Sequence, residues 1–234
     1  VLTDDDNAAN RFAADLRGFS ERDVVQLPSR ELVMADVVGV SRGYEQRRLA
    51  ALDELTEAHF AVASVQAAAQ RTMSPEALKA AIVSLATGET APLDELAQSL
   101  TRAGYERCVQ VEGTGQFSIR GGILDVFPPQ AEHPYRVEFW DDEIDSISSF
   151  DVGSQRRLEQ CECLRCLPCM ESIPALAKGG AAGLAKAVLA LTSTRRKKQH
   201  ADLQTNLERD AERLRETGSL PAADKYMPLI YPEM

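Results

Sequence analysis

The chain has 234 residues, of which 44% are hydrophobic and 26% charged, a soluble globular composition long enough for two compact domains or for one large and one small. Its 36 Asp and Glu outnumber 26 Lys and Arg, and a net charge of −10 argues against a dedicated nucleic-acid binder, though not against a local basic patch. No stretch approaches the ~20 apolar residues of a membrane span, and no basic segment leading into an apolar core reads as a signal peptide. Val1-Leu2-Thr3 reads as a strand already under way, and Tyr231-Pro232-Glu233-Met234 closes no element, so an excised fragment is expected.

The first third alternates strand and helix. After Val1-Leu2-Thr3 come Asp4-Asp5-Asp6, then Ala9, Phe12, Ala13, Leu16 and Phe19 at helical spacing. The aspartates suit a helix start, by capping and by the helix dipole, better than a metal site, since no second ligand cluster is near. Val24-Val25-Gln26-Leu27 is a strand ended by Pro28; a helix follows from about Tyr44 to Ala58, with Leu49, Leu52 and Leu55 inward. Phe60 to Val65 is a buried strand, and the alternation predicts a parallel sheet. Ser74-Pro75-Glu76 starts a helix that runs to Gly88, and Pro92 starts another that stops at Gly104.

From Cys108 the pattern changes to short strands: Cys108 to Val111, Gln116 to Arg120, Ile123 to Phe127 and Tyr135 to Trp140, separated by Gly- and Pro-containing turns. Gly113, Gly115, Gly121 and Gly122 are read as turn glycines that need positive φ. This is an antiparallel meander with the two preceding helices packed on it. After Pro168 the helical period returns, with Leu184, Val188 and Leu191 on one stripe and Leu203, Leu207 and Leu214 on another. Between them Arg195-Arg196-Lys197-Lys198 reads as a solvated surface, or else a phosphate contact.

No phosphate-binding glycine loop is present, and His59, His133 and His200 lie far apart, so no catalytic residues and no cofactor are assigned. Cys161, Cys163, Cys166 and Cys169 crowd into one short stretch. Zinc takes its ligands from separated pairs that close a loop, so structural thiols are favoured over a metal or redox role. In a strand, Cys161 and Cys163 would face one side and Cys166 the other. Five cysteines without a signal peptide fit a reducing cytosol.

In Tyr135-Arg136-Val137-Glu138-Phe139-Trp140, strand alternation puts Tyr135, Val137 and Phe139 on the core face and Arg136, Glu138 and Trp140 on the other. Phe117 and Ile119 likewise point in, and Ser118 and Arg120 out. Two Arg and the single Trp on a wet sheet face are the residue mix of a protein–protein hot spot. Alternation alone equally allows a Trp140 packed under a helix and each Arg paired with a nearby acid.

Gly115-Gln116-Phe117-Ser118-Ile119-Arg120-Gly121-Gly122-Ile123-Leu124-Asp125-Val126-Phe127-Pro128, the run from Tyr135 to Ile147, and Phe150-Asp151-Val152-Gly153-Ser154-Gln155-Arg156-Arg157 together resemble one family's signature. It is that of the N-terminal, UvrB-like module of bacterial transcription-repair coupling factors. Arg47 to Leu52 and Tyr226 to Tyr231 extend the likeness loosely toward both ends. The resemblance implies a parallel α/β domain remnant over 1–82, a small antiparallel-sheet α+β domain that binds UvrA over 83–168, and a helical segment over 169–234. It also implies that Arg120, Arg136 and Trp140 are the UvrA-contacting residues; the family more often carries Phe where Trp140 stands. Arg120 and Arg136 are expected on adjacent strands, with Trp140 on the same side. All three should then be replaceable by Ala with little change in melting.

The ATP-dependent translocase motor, the RNA polymerase contact and the DNA contact of that family would lie outside this chain, in a bacterial cytoplasmic protein. A UvrB-like ATP-dependent DNA-binding enzyme is the alternative. Against it stand the acidic charge, the lack of a phosphate loop, and the stretch from Leu27 to Leu49, which holds only Tyr44 and no room for a Tyr-rich DNA-gripping hairpin.

Overall fold

The computed structural model describes residues 1–30, 43–193, 201–220 and 223–232; the basic run at 195–198, His200 and most of the stretch between Leu27 and Tyr44 lie outside them. The described chain forms two compact units, one from 1–30, 43–68 and 78–170 and the other from 69–77 and the residues after 170. Among the described residues no helix is long and apolar enough to cross a membrane.

The first unit opens with β1 (Leu2–Thr3), α1 (Asp6–Phe19), β2 (Val24–Leu27), α2 (Gly43–Glu54) and β3 (Phe60–Ser64), and the strands make the expected parallel sheet in the order β1-β3-β2. Asp5 caps α1, its carboxylate accepting from the Ala8 N–H at 2.7 Å. The helix lies on the sheet through Ala9 and Ala13, both fully buried. These small side chains four apart bring it close, and they turn Phe12 and Phe19 outward against expectation, Phe19 being 92% exposed. In α2, Leu49 is buried, but the helix stops at Glu54 and Leu55 lies beyond it, exposed.

Asp6 does more than start a helix. Its carboxylate accepts from the Ser29 N–H at 3.0 Å and the Ser29 O–H at 2.6 Å, and also from the Ser64 O–H. Ser64 Oγ in turn accepts from the Ala67 N–H at 3.0 Å, ending β3 and starting α3 (Val65–Ala69). Burial opposes ionisation of Asp6, yet the serine hydrogen bonds and the Arg48 charge outweigh it and hold the carboxyl below its ordinary value.

The expected helix from Ser74 to Gly88 is two elements. Ser74 accepts from the Ala77 N–H, and α4 (Pro75–Ala81) is short; β4 (Val83–Ala86) follows. The alternation of Val83, Ser84 and Leu85 overrides the helix-forming alanines before it: Leu85 is buried and Ser84 exposed. Next comes α5 (Leu93–Arg102), ended at Gly104 with φ +91°.

The remaining strands are β5 (Glu106–Arg107), β6 (Gln116–Arg120), β7 (Ile123–Val126), β8 (Tyr135–Trp140), β9 (Glu143–Phe150), β10 (Arg157–Cys161) and β11 (Cys163–Cys166). Six form one sheet in the order β10-β9-β8-β7-β6-β5, antiparallel except for the parallel pair β5–β6; β11 pairs with β4. The strand expected at Cys108 to Val111 is instead a loop, and Glu106–Arg107 takes its place. One face of the sheet buries Phe117, Leu124, Val137 and Ile147 against Leu96 and Leu100 of α5. Among the described residues α4 contributes nothing to that core, so one preceding helix covers the sheet rather than two. Gly121, at φ +59°, turns β6 into β7. Gly122 has negative φ and is needed for room, since a Cβ there would stand 3.1 Å from the Phe139 carbonyl.

The second unit contains α6 (Gly180–Ser193), α7 (Ala201–Thr217) and the single turn α8 (Met227–Ile230). Leu184 and Val188 of α6 and Leu207 and Leu214 of α7 are buried as expected, but the stripes end outward at Leu191 and Leu203. Asp210 of α7 is buried and accepts from the Tyr226 O–H at 2.7 Å, with Lys225 Nζ at 2.6 Å from the same oxygen.

Candidate functional site

The outer face of the six-stranded sheet is built from two cross-strand rows. One runs Arg120, Ile123, Glu138, Ser146; its neighbour runs Ser118, Asp125, Arg136, Ser148. The meander β6–β7–β8 follows from the tight Gly121-Gly122 turn and the longer connection through Pro128, Pro129 and Pro134. It inserts β7 between the two arginines, so Arg120 and Arg136 are not on adjacent strands.

Asp125 of β7 fills the gap. Its side chain is 2% exposed, and both its oxygens are occupied. Arg136 donates from Nε to Oδ1 at 2.7 Å and from Nη2 to Oδ2 at 2.9 Å, a two-pronged pair; Arg120 donates from Nη2 to Oδ2 at 2.6 Å. Arg136 is held further by Gln155 Oε1, which accepts at 3.2 Å, and by the Phe150 ring, whose centroid lies 4.6 Å from the guanidinium carbon. The hydrogen bonds to Asp125 raise the affinity of Arg136 for its proton, burial works against this, and the Asp125 and Glu138 charges add to it. The Arg136 side chain is only 16% exposed, against 48% for Arg120. Arg136 is therefore part of a half-buried polar cluster rather than a free surface side chain, and its removal is expected to lower melting.

Trp140 ends β8 opposite Glu143, just before a hairpin turn that holds Asp141 at φ +57°. A register shift falls between Glu138 and Phe139, after which Phe139 packs against the core and Trp140, its alternate, is 82% exposed. The Gly122 carbonyl accepts from the Phe139 N–H at 2.8 Å, which brings the Arg120-Gly121-Gly122 corner and the Phe139-Trp140 corner to the same end of the sheet. Nearer β10, Glu138 accepts from the Ser146 O–H at 2.9 Å and pairs with Arg157. The Ser146 bond and the Arg157 contact outweigh burial and lower the Glu138 carboxyl below its ordinary range. Ser118 occupies the outer row as expected, but the Val109 loop covers it and accepts its hydroxyl proton at 2.8 Å.

The segment 83–171 matches the family model of the UvrB interaction domain. Over 95% of its length the chain is 32% identical to the transcription-repair-coupling factor of Bacillus subtilis, and over 69% it is 36% identical to that of Mycobacterium tuberculosis. Residues 83–171 are thus similar to a UvrB interaction domain, and the chain as a whole is similar to part of a transcription-repair-coupling factor. It is also 28% identical, over 63% of its length, to the UvrABC system protein B of Kosmotoga olearia, in keeping with a UvrB-like module. It spans about a fifth of the length of the Bacillus relative and 14% of the Mycobacterium one.

The matched segment begins at the first residue of β4 and takes in α5, the whole six-stranded sheet and β11. The cysteines at its end do not share one strand. Cys161 closes β10, the chain changes sheet, and Cys163 opens β11, so simple alternation does not apply. Cys163 is exposed, whereas Cys166 and Cys169 are fully buried, and burial pushes the Cys166 thiol up to about 12. Among the described residues no group of three His, Cys, Asp or Glu could hold a metal ion. The residues the alternation argument missed are Asp125, Gln155 and Phe150. The signal for Asp125 was a lone acid inside the apolar run Ile123-Leu124-Asp125-Val126, since a carboxylate there requires a cation.

Proposed function

We propose that this chain is a non-catalytic docking module that binds UvrA through the outer face of its six-stranded sheet and brings it to stalled transcription complexes for nucleotide excision repair. Arg120, Arg136 and Trp140 form the docking group. The observation that carries this reading is a solvent-exposed tryptophan at the same sheet end as a half-exposed arginine, within a segment matching the UvrB interaction domain. Trp140 supplies an apolar anchor that is desolvated on binding, and Arg120 supplies a charge-assisted hydrogen bond to an acidic group. One carboxylate between two guanidiniums leaves the Arg120–Asp125–Arg136 cluster with one surplus positive charge, set against a chain of net charge −10. RNA polymerase, DNA and the ATP-driven motor belong, in this reading, to other parts of a coupling factor in the bacterial cytoplasm.

The C-terminal edge of the parallel sheet, where such sheets take ligands, is engaged by the hydrogen bonds from Ser29 and Ser64 to Asp6, which favours the docking reading over a nucleotide-binding one. Calorimetric titration of UvrA into the chain tests the proposal. Saturable binding is expected, with no micromolar affinity for duplex DNA at physiological salt. Duplex binding that weakens steeply with salt, and no response to UvrA, would support the DNA-binding alternative.

A further inference from the structure

We infer that Asp125 is a positioning residue for partner binding: locked to Arg136, its carboxylate presets the Arg120 guanidinium that meets an acidic group of the partner. This rests on the docking reading and divides the labour within it. The two arginines are not equivalent. Arg136 is clamped by both Asp125 oxygens, by Gln155 and by the Phe150 ring, and it presents little surface. Among the described residues Arg120 makes one side-chain hydrogen bond, from Nη2 to Asp125 Oδ2, and nearly half of its side chain is exposed. Arginine otherwise loses much rotamer freedom when it is fixed at an interface. Tethering through one nitrogen pre-orders the side chain and leaves the rest of the fork for a carboxylate from outside. Asp125 can serve as the tether because it is buried in the strand between the two arginines and held from the far side by Arg136.

The sign of one substitution separates this role from plain electrostatics. Asp125→Asn removes a negative charge beside Arg120, so Coulomb attraction alone makes the face more positive and an acidic partner bind more tightly. Loss of positioning makes it bind more weakly, by about tenfold, the upper range for ordering one long side chain. Four chains are compared by calorimetry with UvrA: wild type, Asp125→Asn, Arg120→Ala and the double variant. If Asp125 acts through Arg120, the ~tenfold loss disappears once Arg120 is Ala, leaving the double variant within about twofold of Arg120→Ala. A purely structural role would instead lower affinity by the same factor in both backgrounds.

Should Asp125→Asn not fold, Arg136→Lys serves in the same cycle, since it keeps the charge but loses the two-pronged grip on Asp125. Tighter or unchanged binding of the variants, additivity with Arg120→Ala, or an Arg120→Ala that binds normally overturns the inference while leaving UvrA docking intact. Absence of wild-type binding overturns the docking reading and this inference with it.

Discussion

Asp6, half-buried, and Asp125, fully buried, are both hydrogen-bonded carboxylates within one compact unit, yet the chain treats them oppositely. Asp6 is satisfied by neutral donors, two serine hydroxyls and a backbone amide, which tie the start of α1 to the ends of β2 and β3. The nearby Arg48 charge adds to these bonds. Asp125 is satisfied by two guanidiniums, so its cluster carries a surplus charge, and the surplus resides on the more exposed of the two arginines. Neutral donors thus make a joint, while a carboxylate shared between two arginines makes a supported cation at the surface.

The largest effect that would break this contrast is loss of Asp125 itself. Asp125→Ala leaves a mostly buried Arg136 without its carboxylate and should cost about 3 kcal/mol in urea unfolding, and Arg136→Ala should cost a similar amount or somewhat less, since it leaves buried Asp125 with only the Arg120 bond. A loss below ~1 kcal/mol for both would mean that the cluster is solvated. Arg120→Ala, on the same carboxylate but largely exposed, should fall within about 0.5 kcal/mol of wild type, because the Arg136 fork still satisfies Asp125.

Replacement of Asp6 should be milder. Asp6→Asn keeps the side chain's shape and should cost about 1–2 kcal/mol at neutral pH. Asp6 has a folded-state pKa below its unfolded value, so its contribution is complete above the unfolded value (~3.9) and is lost as pH falls through the lower folded one. The stability gap between wild type and Asp6→Asn should therefore be constant from pH 7 to 5 and shrink on further acidification. A gap that widens in acid would reverse the assignment. Trp140→Ala, like Arg120→Ala, should stay within ~0.5 kcal/mol, whereas neighbouring Phe139→Ala, partly buried against the core, should cost ~1–3 kcal/mol.

The sequence told most about the sheet where alternation is strong. In β8 the faces of Val137, Arg136 and Trp140 follow from the period of two alone. It told less about β9 and β10: Asp145, Ser146, Ser148 and Ser149 dilute the apolar signal of β9, and four of the five residues of β10 are exposed. The break at Ala81 was hidden because alanines suit a helix while the strand after it is only four residues long. Phe12 and Phe19 misled because periodicity marks a face without saying whether small or large side chains will meet the sheet. The spacing of Arg120 and Arg136 was legible in principle, since a meander of three strands already puts β7 between them. What the pattern could not supply is the exchange across strands, where Asp125 turns two arginines far apart in sequence into one cluster.

The most direct test is the UvrA affinity of Trp140→Ala, measured beside its melting temperature. The melting temperature should match wild type while affinity falls by about thirtyfold or more, the loss of one ~2 kcal/mol anchor at an interface centre. Unchanged affinity with unchanged melting would contradict the account, because an exposed tryptophan at this end of the sheet would then have no part in docking.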